Sequence, residues 1–124
     1  MVMTGRSYFL QEKAEAFAGR IIKMYQYLTS LKHEHVMSKQ VLRSGTSIGA
    51  NIAESKDAQS SSDYINKLNI ALKEADETSY WIKNLYIGGY INEKEYMSIQ
   101  QDAEELGKLL VSAIKKVKSR LGRL

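Results

Sequence analysis

Apolar residues recur at alternating spacings of three and four along most of the chain, and this feature constrains the fold more than any other. Steps of three and four bring side chains to one side of an α-helix, so each such run predicts an amphipathic helix. The sequence contains no proline, which favours long, uninterrupted helices. The runs predict four helices, at about residues 7–31, 38–55, 61–87 and 93–121. We therefore predict an all-α fold, an antiparallel up-down-up-down four-helix bundle that forms one domain over residues 1–124.

Short polar breaks predict where the helices begin and end. Residues 32–35 interrupt the apolar pattern and predict the first connection. Gly88-Gly89 predicts the end of the third helix, because glycine readily adopts the left-handed conformation found there. Two polar pairs have the spacing of N-terminal caps: Ser60 with Asp63, and Asn92 with Glu95.

The second predicted helix carries a ridge of small residues, formed by Gly45, Gly49 and Ala53 at every fourth position. A glycine inside a helix costs roughly 1 kcal/mol relative to alanine. Two of them in one helix predict a compensating close approach of another helix along this small-residue ridge.

The other side of the same helix carries a polar stripe, which consists of Arg43, Ser47, Asn51 and Glu54. The stripe is either a solvent-facing surface or a hydrogen-bonded contact with another helix or subunit. The second alternative requires every group to be satisfied, because an unpaired buried charge costs several kcal/mol.

The third predicted helix is apolar over an unusually wide arc, with two adjoining stripes. Such a helix needs cover on two sides, which predicts a contact with another subunit in addition to the bundle. The first stripe is Ile65, Leu68, Leu72, Ala75, Ser79, Ile82 and Tyr86, and the second is Tyr64, Ala71, Thr78, Trp81 and Leu85.

Charge is distributed unevenly, with a net charge of +4 over residues 1–50, −6 over 51–105 and +6 over 106–124. The basic segment either attracts an anionic partner or is a solvated helix end whose cations complement the helix dipole. Its six cations are the candidates for nucleic-acid contact: Lys108, Lys115, Lys116, Lys118, Arg120 and Arg123.

No residue pattern predicts catalysis, a metal site, a cofactor or a small-molecule substrate. Gly45-Thr46-Ser47-Ile48-Gly49 matches the G-x-S-x-G pattern of hydrolases, but that motif needs a strand, a sharp turn and a later histidine. Here the segment is predicted to be helical, and both histidines precede it. His33-Glu34-His35 is better explained as a solvated loop than as a metal site. We therefore predict that the protein is not an enzyme.

The sequence has no cysteine, and no run of residues is apolar enough to span a membrane. The first residues also lack the apolar stretch of a signal peptide. We expect a soluble cytoplasmic protein.

The polar stripe and its neighbours match a known motif, since Arg43, Ser47-Ile48 and Asn51-Ile52-Ala53-Glu54 follow the pattern Arg-x-x-x-Ser-Ile-x-x-Asn-Ile-Ala-Glu. In this respect the chain resembles the four-helix bundle proteins related to those encoded by intervening sequences in bacterial 23S ribosomal RNA genes, over about residues 10–121. Ser55 departs from the family pattern, which commonly has glycine there. Further matching positions lie in the third helix: Asp63-Tyr64, Ala71, Glu74, Glu77-Thr78 and Trp81.

The resemblance implies a ring-shaped homopentamer of antiparallel bundles with no established enzymatic activity. Distantly similar bundle proteins accompany the reverse transcriptases of diversity-generating retroelements, where they associate with nucleic acid and with the polymerase. Two function hypotheses follow. The chain is an oligomeric scaffold that binds RNA, a ribonucleoprotein or a nucleic-acid-processing protein through basic surfaces, or it is a protein-protein assembly module without nucleic-acid affinity.

Overall fold

The computed structural model of the chain describes residues 5–122, with side chains from residue 8 onward. Each helix packs against its neighbours in sequence, and a weaker contact between the first and the last helix closes the bundle. The predicted all-α, up-down four-helix fold is confirmed, and the helix bounds lie within two residues of the expected ones. The helices are α1 (Gly5–Ser30), α2 (Met37–Ser55), α3 (Ser61–Ile87) and α4 (Glu93–Gly122).

Apolar side chains from all four helices form the core between them. Full burial of a leucine or isoleucine side chain contributes roughly 1.5–3 kcal/mol, so these side chains supply most of the stabilisation. The largest fully buried apolar side chains are Ile21 and Leu28 of α1, Val41, Ile48 and Ile52 of α2, Leu68, Ile82 and Leu85 of α3, and Leu106 and Leu110 of α4.

Both apolar stripes of α3 pack within the single chain, because α3 lies against α2 and α4. Five large apolar side chains of the stripes nevertheless stay half-buried: Tyr64, Ile65, Leu72, Trp81 and Tyr86. The buried residues of α3 come from both stripes: Leu68, Ala75 and Ile82 from the first, and Ala71, Thr78 and Leu85 from the second.

The predicted caps of α3 and α4 are confirmed. The Ser60 hydroxyl accepts a hydrogen bond from the Asp63 amide at 3.0 Å. Asn92 and Glu95 form a reciprocal capping box, in which each side chain accepts from the backbone amide of the other at 2.8 and 2.9 Å. At the end of α3, Gly89 has a left-handed φ of 79°. Helix α2 ends at Ser55, whose hydroxyl donates to the Ile52 carbonyl.

Glu34 closes the N-terminus of α2 from the preceding connection, where His33 turns the chain with a left-handed φ of 54°. One carboxylate oxygen accepts the amides of Val36 at 3.0 Å and Met37 at 3.1 Å, and the other accepts the amide of Ser38 at 2.7 Å. Burial raises the pKa of Glu34, but these hydrogen bonds outweigh it and hold the pKa below its ordinary value of 4.5. The carboxylate therefore satisfies amides that α2 itself leaves unpaired.

No helix within residues 5–122 is long and apolar enough to cross a membrane.

Candidate functional site

Five of the six predicted cations lie in the part of α4 that the structure describes, and all five are exposed to solvent. Within residues 8–122, none of the five forms an ion pair with a described carboxylate. Arg123, the sixth predicted cation, lies outside the described residues. The fifth described cation, Lys108, lies two turns before the others. The other four occupy the last turns of α4 and are called the basic end here: Lys115, Lys116, Lys118 and Arg120.

In the acidic first half of α4, in contrast, two acids are paired with cations of α1. The Arg20 guanidinium lies 2.6 Å from the Asp102 carboxylate and also donates to the Ser98 hydroxyl at 3.0 Å. Lys13 lies 3.0 Å from Glu105. Exposed pairs of this kind contribute at most about 1 kcal/mol each. The two pairs offset part of the acidic charge of α4, whereas the cations of the basic end form no ion pair with a described carboxylate.

Arg43 connects the polar stripe of α2 to α3. Its guanidinium donates to the Glu74 carboxylate at 3.2 Å and to the Glu77 carboxylate. Glu77 also accepts the indole N–H of Trp81 at 3.2 Å. Glu74, Glu77 and Trp81, which all match the family pattern in α3, are thus linked to Arg43 directly or through Glu77. The Arg43 side chain remains half exposed.

The other members of the polar stripe contact α3 weakly or not at all. Ser47 donates to the Arg43 carbonyl at 2.6 Å, and Asn51 donates to the Ser47 carbonyl at 2.9 Å, so both bond their own helix. Glu54 is exposed and lies 3.9 Å from Lys67 of α3. The stripe is therefore a contact between helices at Arg43 and largely a solvent surface at Glu54.

The small-residue ridge faces α1 at both glycines. Gly45 and Gly49 are buried, and Ala53 is half-buried. A Cβ atom at Gly45 would lie 2.9 Å from Cγ1 and Cγ2 of Ile21, whereas one at Gly49 would lie 3.5 Å from the Ala14 Cβ. The approach of α1 is thus much closer at Gly45 than at Gly49.

Ser47 lies inside the continuous helix α2 and not at the strand-to-helix turn that a hydrolase nucleophile requires. His33 and His35 are exposed. In the part of the chain that the structure describes, no group of three or more His, Asp or Glu side chains is placed to hold a metal ion.

Comparison with known proteins places the bundle in a family. Residues 7–112 match the family model described as 23S rRNA-intervening sequence protein. The chain belongs to this family. A crystal structure of a protein of unknown function from the S23 ribosomal protein family of Bacteroides thetaiotaomicron has a TM-score of 0.87 and 53% sequence identity, and the alignment covers 89% of this chain and 98% of that one. No curated protein matches the chain.

The match to the 23S rRNA-intervening sequence protein family ends before the basic end begins. It contains the polar stripe, the small-residue ridge and Lys108, but not residues 115–120. The matched range is therefore shorter at its C-terminal side than the resemblance over residues 10–121 predicts. Charge at the basic end is a property of this chain that the family match does not cover.

Two buried polar contacts are not predicted by any pattern in the sequence. One is the Glu34 cap. The other joins α2 to α3, where the Thr78 hydroxyl lies 2.9 Å from the Ser44 hydroxyl and both side chains are fully buried. Ser44 donates its proton to the Gln40 carbonyl at 3.0 Å, and the single proton of Thr78 is shared between the Ser44 oxygen and the Glu74 carbonyl, so neither hydroxyl is unpaired.

Proposed function

We propose that this protein is a non-enzymatic scaffold that associates with RNA or a ribonucleoprotein through its basic end. The observation that supports the proposal is the separation of charge along α4: two of its acids, Asp102 and Glu105, pair with α1, while its last described cations are exposed and form no ion pair with a described carboxylate. Exposed lysine and arginine side chains bind phosphate by releasing the counterions condensed on the nucleic acid. Such binding carries little sequence preference.

Changing Lys115, Lys116, Lys118 and Arg120 together to glutamine should weaken RNA binding and flatten its salt dependence. Four fewer phosphate contacts reduce the slope of log affinity against log salt by up to about 3 for a single strand. The fold should persist, because all four side chains are exposed. Fluorescence anisotropy of a labelled single-stranded RNA over a series of salt concentrations measures both quantities.

A control variant carries the same charge change elsewhere, at the exposed residues Lys32, Lys39, Lys73 and Lys83. It should keep most of the wild-type slope. Equal losses in both variants would indicate attraction by net charge alone. If the wild-type protein does not bind RNA at about 50 mM salt, where such contacts are strong, the alternative of an assembly module without nucleic-acid affinity replaces the proposal.

We also propose self-association into a homopentamer, the assembly that the family resemblance implies. Four large apolar side chains are 61–73% exposed, and all lie in or near the α1–α2 and α3–α4 connections. Both connections lie at the same end of an up-down bundle, called the connection end here. Exposed apolar side chains gathered at one end favour a protein contact there. They are Leu31, Val36, Ile87 and Met97.

Light scattering should give a mass near five times 14.1 kDa for the wild-type protein. Changing Val36 and Ile87 together to lysine should lower the mass, because two charges would have to be buried in the contact. Leu121→Lys, at the opposite end of the bundle, provides a control that should leave the mass unchanged. A wild-type mass of 14.1 kDa at every concentration would contradict self-association.

A further inference from the structure

A groove remains between α1 and α4, the two neighbouring helices that pack least closely. In the half of the bundle near the connection end it encloses about 540 Å³. Ligand sites for small organic molecules commonly have volumes of about 300–1,000 Å³. The groove is therefore large enough for one such molecule.

The floor of the groove is apolar. Ile91 and Ile99 line it and are each only 4% exposed, so they present a fixed surface that belongs to the core. Met24 and Tyr27 of α1 are half-buried and complete the apolar lining. A flat, apolar group placed here would exchange water for aromatic and aliphatic contacts.

The rim of the groove is basic, and its two lysines form no ion pair with a described residue. Arg20 is engaged with Asp102 and Ser98. Lys23 and Lys94 are exposed, and among the described residues neither forms an ion pair. The one acid on the rim, Glu95, accepts the Asn92 amide in the first turn of α4, so the lining carries three cations against one acid.

We propose that this groove binds a nucleoside phosphate, with the phosphate between Lys23 and Lys94 and the base on the apolar floor. A phosphate monoester carries about −1.5 to −2 charges at pH 7, which matches two lysines. A carboxylate, with a single charge, would leave one lysine unpaired. Lysine binds phosphate as a point charge, whereas planar carboxylates are best held by the arginine fork, and the arginine here is already occupied. Bases stack favourably on aromatic side chains such as Tyr27, whose ring also has the Lys32 ammonium 5.8 Å from its centroid.

The groove between α3 and α4 provides an internal comparison. It encloses about 630 Å³ and is also lined by two lysines, Lys108 and Lys115. Asp76 and Glu104 line it too, so its lining carries two acids for two lysines, and it contains no aromatic residue. The two grooves are thus similar in size and in number of lysines. Of the two, only the α1–α4 groove combines more cations than acids with an aromatic side chain.

Isothermal titration of the protein, residues 1–124, with AMP at low salt tests the proposal. AMP should bind with saturation, and both adenosine and ribose 5-phosphate should bind at least about fivefold more weakly, because each lacks one half of the recognised chemistry. Lys94→Gln and Lys23→Gln should each weaken AMP binding at least about fivefold. Lys115→Gln, in the α3–α4 groove, should change it by less than about twofold. Circular dichroism establishes that each variant is folded.

Amide chemical shifts locate the site, since AMP should perturb residues around 20–27 and 91–99. Absence of saturable binding, equal affinity for ribose 5-phosphate, or perturbations confined to residues 115–120 would each overturn the proposal. The site does not depend on RNA binding at the basic end, because Lys94 and Lys115 are about 30 Å apart along α4. The four-glutamine variant of the basic end should therefore retain AMP affinity, so the two proposals can fail separately.

Discussion

Replacing Gly45 by leucine should lower the free energy of unfolding of the bundle by about 3 kcal/mol. Gly45 is buried, and even a Cβ atom there would lie 2.9 Å from two γ-carbons of Ile21. Ile21 is fully buried in the core and is branched at its β-carbon, which leaves it little rotational freedom to move away. Overfilling of this contact should therefore outweigh the better helix propensity of leucine. Urea denaturation followed by circular dichroism measures the change.

Gly49→Ala is the matched control, four residues along the same ridge. A Cβ atom at Gly49 would be in ordinary van der Waals contact with the Ala14 Cβ, at 3.5 Å. The substitution should therefore raise the free energy of unfolding by up to about 1 kcal/mol through helix propensity alone. If Gly45→Leu is as stable as the wild-type protein, α1 does not approach α2 closely at Ile21.

Local rules explain why the sequence predicts the helices so well. Periodicity and capping act over a few residues, so the boundaries near Ser61 and Glu93 follow from the Ser60 and Asn92 caps. The small-residue ridge is visible for the same reason, because its four-residue spacing is a property of one helix. Which helix it faces is not visible, since Ile21 comes 24 positions earlier and only the packing of α1 on α2 brings it to Gly45.

Contacts between helices limit what can be predicted for the polar stripe. Arg43 and its acceptors Glu74 and Glu77 are 31 and 34 residues apart. Spacing within α2 therefore identifies the polar stripe, but it does not distinguish between exposure to solvent and contact with another helix. In the structure both environments occur along one stripe, because α3 lies beside Arg43, whereas Glu54 stays exposed.

The α1–α4 groove is a stronger example of the same limit. Its cations Lys23 and Lys94 lie 71 positions apart in the sequence, and its floor is formed by Ile91 of the α3–α4 connection and Ile99 of α4, which have the pattern of ordinary core residues. The net charge of sequence segments points to the basic end instead, because its cations lie close together in the sequence. Neither Lys23 nor Lys94 belongs to such a group of cations, so only the closing of the bundle makes their proximity apparent.

Removal of the Glu34 carboxylate has the second large expected effect. Glu34→Ala should lower the free energy of unfolding by about 2–3 kcal/mol at neutral pH, because it deprives the amides of Val36, Met37 and Ser38 of their charged acceptor. Urea denaturation measures the loss. Glu12→Ala, which removes an exposed carboxylate from α1, should change stability by no more than about 0.5 kcal/mol.

The contribution of Glu34 should also depend on pH in a defined direction. Its pKa in the folded protein lies below the ordinary value of 4.5, so the unfolded chain takes up the proton first as the pH falls. The stabilisation is therefore complete above about pH 5 and is lost as the pH falls through the folded-state pKa.

Glu34→Gln keeps the size of the side chain but cannot titrate, and its amide group points a donor at backbone donors. The difference in unfolding free energy between the wild-type protein and Glu34→Gln should be constant between about pH 5 and 8 and shrink below about pH 4. A difference that stays constant throughout the acid range would mean that the ionised carboxylate is not what holds the start of α2.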